Sequence, residues 1–267
     1  MKKQFIVEKN FGDWYKHLDH TYSLMLSDDI DSWLTSKIIE RDFGCKLDLF
    51  NSFSSLYFKE GVDIYNLKRG KIIAIDIDIS KNRCFSNHVT YINNPECINL
   101  NKGISSYYDK FAGSTLLTVL SLYNYDLSDF TEQQLEILIS IDTAFKQYFF
   151  DSSIFKYYYS DVLEYPIFLD VVKDKNKEYF YKIIRQYKLH EKIYVDDNGY
   201  LKTNIKLDEL SEIFNIDLSL PQEKFEPFYH MQTVSMPLDE FKRVIDKGKI
   251  FSSALAKKNY IVASIKY

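Results

Sequence analysis

Along this chain, short and largely apolar runs end on aspartates, and between those runs apolar residues recur at helical spacing. Residues 22–26 are too short for a helix and suit a buried strand, which runs directly into Ser27-Asp28-Asp29-Ile30-Asp31. Trp33, Leu34, Ile38 and Ile39 then share one helical face, with Asp31 or Ser32 as the N-terminal cap and Gly44 as the stop. Residues 46–50 and 55–58 read as further strands. Residues 71–75 form a second buried strand that ends on Asp76-Ile77-Asp78. A helix is expected over 106–123 and one or two more over 132–150.

Strands alternating with helices imply an α/β protein, with a mainly parallel sheet flanked by helices. Beyond residue 151 the pattern changes to aromatic helical stretches around 155–159 and 179–187 and a charged turn at 195–200. A strand (228–234), a helix (238–247) and a strand (260–265) follow. The division expected is a main α/β domain over 1–185 and a smaller C-terminal α+β domain over 186–267. No internal repeat or low-complexity run suggests a solenoid.

Composition narrows the function classes. Hydrophobic residues make up 46% and charged residues 27% of the 267, the balance of a folded globular chain. With 34 Lys plus Arg against 38 Asp plus Glu, no global positive field exists to grip duplex nucleic acid, so any such contact must be local. No stretch approaches the roughly 18 apolar residues of a spanning helix, and the first eleven residues lack an apolar signal core. A cytoplasmic protein without a membrane partner is the expectation. Three cysteines, Cys45, Cys84 and Cys97, form no CxxC pair, which argues against a thiolate zinc site. The chain has 22 Tyr and 20 Phe but only 8 Gly, and it contains neither GxGxxG nor a P-loop.

The candidate chemistry lies in the aspartates. Open α/β sheets bind ligands beyond the carboxyl ends of their strands, where Asp29, Asp31, Asp76 and Asp78 are placed. Carboxylates gathered in one crevice repel one another unless a divalent cation neutralises them, and hard oxygen donors suit magnesium or manganese. Read singly, each aspartate is a helix cap or a solvated turn residue.

These residues resemble the motifs of the DHH phosphoesterase superfamily. Ser27-Asp28-Asp29-Ile30-Asp31 is similar to its first motif, His-x-Asp-x-Asp, with Ser27 in place of the histidine. The strand ending at Asp76 and Asp78 resembles the second; either aspartate can be the equivalent, and Asp78 is favoured. Ser86-Asn87-His88 is similar in place to the Asp-His-His triplet, with only His88 matching in type. Asn94-Pro95, Asn99, Asn101 and the Gly113-Ser114-Thr115 turn resemble the downstream segment, and Asp142-Thr143 the fourth motif. The resemblance covers roughly residues 20 to 150, and the family's Gly-rich substrate-binding subdomain has no counterpart in 151–267.

The resemblance implies hydrolysis of a phosphodiester in a nucleotide or short single-stranded nucleic acid, as in a nuclease, with one or two Mn2+ (or Mg2+) ions. It implies metal ligands among Asp29, Asp31, Asp76, Asp78 and Asp142, catalytic roles for His88 and Asn87, and substrate contacts at Ser114 and Thr115. Lys102, Lys110 and Lys146 are candidate phosphate contacts. The alternative is a catalytically impaired relative of the same fold that binds a nucleotide or a protein partner, with the aromatic stretch 145–159 as a candidate surface.

Overall fold

The computed structural model describes residues 1–64, 67 and 71–267. A helix, α1 (Lys3–Lys9), precedes the central strand β1 (Ser23–Leu26), all four residues of which are buried. Helix α2 (Ile30–Phe43) follows, capped by Asp29 rather than by Asp31 or Ser32 and ended by Gly44 at φ +69°, a left-handed turn that glycine enters without a Cβ clash. Strands β2 (Lys46–Asn51), β3 (Ser55–Lys59), β4 (Ile72–Ile75), β5 (Arg83–Ser86) and β6 (Cys97–Asn99) complete the N-terminal half.

The main sheet is mixed, in the order β6-β5-β4-β1-β2-β3-β9, with β9 spanning Phe225–His230. Its first five strands are parallel, and β3 and β9 run antiparallel to their neighbours. The expected α/β class with a mainly parallel sheet flanked by helices is therefore observed. From β1 the chain moves to one side through α2 to β2, then returns to the opposite side of β1 for β4. The carboxyl ends of β1 and β4 thus border the switch point, where a crevice opens.

Parallel neighbours normally require a helical crossover of a dozen or more residues. Here β4 reaches β5 through residues 76–82 and β5 reaches β6 through residues 87–96. Such short loops leave backbone groups that must find partners. Buried asparagines supply them: Asn94 Nδ2 donates to the carbonyls of Ile79 and Asn82 at 2.8 Å, and Asn101 Nδ2 donates to those of Asn87 and, at 2.9 Å, Phe111.

The helix expected over 106–123 is shorter. Ser106 caps a single 3-10 turn (Tyr107–Asp109), and the helix α3 begins only after Ser114 and spans Thr115–Leu122, every residue buried. The following helices are α4 (Glu132–Ser140), α5 (Lys146–Phe150), α6 (Ser152–Lys156), α7 (Ile167–Lys173) and α8 (Lys177–Tyr187). A hairpin of β7 (Ile193–Val195) and β8 (Leu201–Thr203) leads to α9 (Leu207–Phe214).

One apolar core runs from Phe5 through α2, α3, α4 and α8 to Phe225. It crosses position 185 without a break, tied by Trp33 Nε1 donating to the Leu218 carbonyl at 3.0 Å. The strand expected over 228–234 is two strands joined at Met231: β9 at the edge of the main sheet, and β10 (Gln232–Pro237) in a second sheet ordered β10-β12-β11. That antiparallel sheet, with β11 (Ile250–Lys257), β12 (Tyr260–Ile265) and helix α10 (Leu238–Val244), has its own cluster around Val234, Phe241 and Ile261. It packs on the 87–96 loop, where Thr90 Oγ1 donates to the Ser253 carbonyl at 2.7 Å. No helix among the described residues is long and apolar enough to cross a membrane.

Candidate metal centre

The ends of β1 and β4 are stitched together by Ser32, whose hydroxyl accepts from Ser27 N at 2.8 Å and donates to the Ile75 carbonyl at 3.1 Å. This fixes the first turn of α2 and turns Asp31 inward. Asp31 is fully buried, and its two oxygens accept from Thr115 N and Leu116 N, each at 2.7 Å. The unpaired N–H groups opening α3 thus hold this carboxylate. Asp76 follows β4 at φ +56°, and its Oδ1 accepts from Thr115 Oγ1 at 2.6 Å. Asp142 and Thr143, after α4, lie at φ +53° and +56°. A non-glycine residue held there costs about 1–2 kcal/mol, so the surrounding packing enforces both turns.

These backbones bring Asp31, Asp76 and Asp142 together, with one oxygen of each within 4.8 Å of the others. Burial first, then the charges of Asp142 and Asp29, push the Asp31 carboxyl well above the usual range. Burial and then Asp31 do the same for Asp76. Asp142 is raised by burial and by Asp29, while His88 and Asn87 pull it back. Asp142 keeps solvent access at the mouth of the site although protein surrounds it closely. Asp29 lies beside the triad but outside it: its Oδ1 caps α2 through Ser32 N, and its Oδ2 is 3.2 Å from Lys192 Nζ.

Asp78, favoured from the sequence, is not in the cluster. One residue at positive φ turns Asp76 toward α3, and Asp78 points to the other side. There it accepts from Ser86 Oγ at 2.6 Å, Asn99 Nδ2 at 3.0 Å and Cys97 Sγ at 3.3 Å. His88 stands at the cleft between the two, with Nδ1 4.0 Å from Asp76 and 3.9 Å from Asp78, and 3.1 Å from Ser86 Oγ. Asn87 Nδ2 donates to the Gly113 carbonyl and, at 3.3 Å, to Asp142 Oδ2. Ser114 and Thr115, expected to touch substrate, are buried away from the cleft. Ser114 caps α3 by accepting from Leu117 N at 3.1 Å, and Thr115 positions Asp31 and Asp76.

Asp142, the solvent-facing member of the triad, opens onto a cleft of about 660 Å³ lined also by Asp29, Asn87, His88, Lys110, Lys146 and Lys192, while Asp31 and Asp76 are buried and do not line it. At its rim the exposed rings of Tyr108 and Phe150 lie nearly parallel, 6.3 Å apart. Lys102 is not part of it; its ammonium turns to the Asn10 carbonyl. Nothing in the residue pattern marked Lys192, which meets Asp28 from 164 residues away. Tyr108 and Phe150 were hidden by the abundance of aromatic residues, most of which in 145–159 are core.

The residues present fit a hard divalent cation. The donors are all carboxylate oxygens, and Asp76 keeps one oxygen that accepts no hydrogen bond among the described residues. The Tyr159 hydroxyl, fully buried on a π turn (Tyr157–Val162), has no hydrogen-bond partner among the described residues, and the charges acting on it are Asp142 and Asp31. Comparison of the chain with known protein families, curated proteins and solved structures gives no match.

Proposed function

We propose that the protein is a divalent-metal-dependent phosphoesterase of DHH-like construction that hydrolyses a phosphodiester in a nucleotide or short single-stranded nucleic acid. The observation that carries this reading is the convergence of Asp31, Asp76 and Asp142 near the carboxyl ends of β1 and β4, with Asp142 opening onto a cleft that also presents lysines. Those three carboxylates would hold Mn2+ or Mg2+, and the ion when bound supplies positive charge to a phosphoryl oxygen and acidifies water.

The chain's own residues supply the rest. Lys110 and Lys146 face the cleft and suit phosphate oxygens, and the Tyr108 and Phe150 rings offer flat faces to a base. Ser86 engages His88 Nδ1, leaving the other ring nitrogen without a partner among the described residues to exchange a proton with the reacting group. Asn87 holds Asp142 in place.

The test is Mn2+-dependent hydrolysis of bis(p-nitrophenyl) phosphate and of a short single-stranded oligonucleotide. Activity that falls about a hundredfold or more in both Asp31→Ala and Asp142→Ala supports the reading. Wild-type protein inert on both substrates with either metal sinks it. A second reading, a catalytically impaired protein that binds a nucleotide or protein partner, is favoured by Ser86 and Asn87, whose polar groups are spent on Asp78 and Gly113. Inert protein that still binds a nucleotide would select that one.

A further inference from the structure

We infer that this centre takes a single divalent ion and that the Lys192 ammonium serves as its second positive charge. The inference rests on reading Asp31, Asp76 and Asp142 as the ligands of the first ion. Five aspartates crowd the carboxyl ends of β1, β4 and α4: Asp28, Asp29, Asp31, Asp76 and Asp142. The structure divides them into two groups. Three converge within 4.8 Å, and two of them, Asp31 and Asp142, act on the buried Tyr159 hydroxyl, which has no hydrogen-bond partner among the described residues. The other two share one ammonium, because Lys192 Nζ lies 2.9 Å from Asp28 Oδ1 and 3.2 Å from Asp29 Oδ2 and offsets one of their two charges.

Lys192 is placed by its backbone on both sides. The next residue, Ile193, donates its N–H to the Asp28 carbonyl at 2.7 Å, and Thr203 Oγ1 donates to the Lys192 carbonyl at 3.0 Å. The ammonium is thus held at the acidic turn, with half of the side chain open to the same cleft as Asp142 and His88.

The groups that a second ion would need are committed elsewhere. Asn87 turns its amide N–H groups, not its oxygen, toward Asp142 and the Gly113 carbonyl, and a donor cannot ligate a cation. Asp78 accepts from Ser86, Asn99 and Cys97. Ser27 offers a hydroxyl that donates to the Asp76 carbonyl at 3.5 Å. A lysine needs none of these ligands, and Lys192 lines the same cleft as Asp142, the solvent-facing member of the triad.

Counting Mn2+ on the 267-residue chain by electron paramagnetic resonance titration tests this without reference to turnover. Wild type and Lys192→Arg should bind one ion, and Asp31→Asn should weaken that ion about tenfold or more. Lys192→Met, which frees Asp28 and Asp29, should bind a second, weaker ion. Two ions of comparable affinity on the wild type, or a Lys192→Met protein indistinguishable from wild type, would overturn the role of Lys192 while leaving the triad as a metal site. If wild type binds no ion, the underlying reading of the triad fails instead.

Discussion

At Gly113 a single added methyl group would meet rigid neighbours. A Cβ there would overlap the Phe111 ring and lie 2.8 Å from the Tyr159 hydroxyl, and both residues are buried. Overpacking of this kind costs typically about 1–3 kcal/mol, and the shift would reach the Gly113 carbonyl that anchors Asn87 beside Asp142. Gly113→Ala is therefore expected to lower stability to urea by that amount and to weaken Mn2+ binding together with it. Loss of one without the other would show that the Asn87 anchor is not coupled to the triad. At this scale the sequence was half legible. Asp31 and Asp142 stand out by their place after apolar runs, but the choice between Asp76 and Asp78 was decided by one left-handed φ that no side-chain pattern encodes.

Among the elements, those with both a cap and an apolar face were readable. Helix α4 carries a capping box, in which Thr131 Oγ1 accepts from Gln134 N and the Gln134 side chain accepts from Thr131 N at 2.8 Å. Thr131→Ala should cost about 1 kcal/mol in chemical denaturation and leave Mn2+ affinity unchanged, since this end of α4 lies a full helix away from Asp142. A loss of metal binding would mean that α4 transmits strain along its length. Strands β5 and β6 escaped notice because Arg83, Ser86 and Asn99 leave them without the continuous apolar run that marked the equally short β1 and β4. The helix over 106–123 was overextended for a different reason: Asn101 and Gln147 take up the backbone of Phe111 and Ala112 in a non-helical path that local propensity does not favour.

For the whole molecule, the buried acidic cluster sets a pH dependence. The folded values of the buried Asp31, Asp76 and Asp78 are raised, first by burial, above those of the unfolded chain. Their contribution to stability is then fully present below the unfolded value near pH 4 and is lost as pH rises through the folded values. Carboxylates such as Asp19, Asp126 and Asp151, lowered by hydroxyl and backbone hydrogen bonds, act in the opposite sense at more acid pH. Protein stripped of metal by a chelator should therefore melt at a lower temperature at about pH 8 than at about pH 5.5. Saturating Mn2+ should remove most of that difference, because the ion binds the ionised carboxylates of the folded state. Melting curves that ignore both pH and Mn2+ would place the triad's charges elsewhere.

By itself the sequence determined the alternation of strands and helices, the parallel core around β1, and the collection of aspartates at strand ends, because side-chain period and capping chemistry are local properties. The tertiary structure alone decided which aspartates meet, that α3 seats Asp31 on its opening N–H groups, and that Lys192 is folded onto Asp28 and Asp29. Those outcomes depend on single backbone rotations and on contacts between segments far apart in the chain, and neither leaves a trace in the spacing of residues.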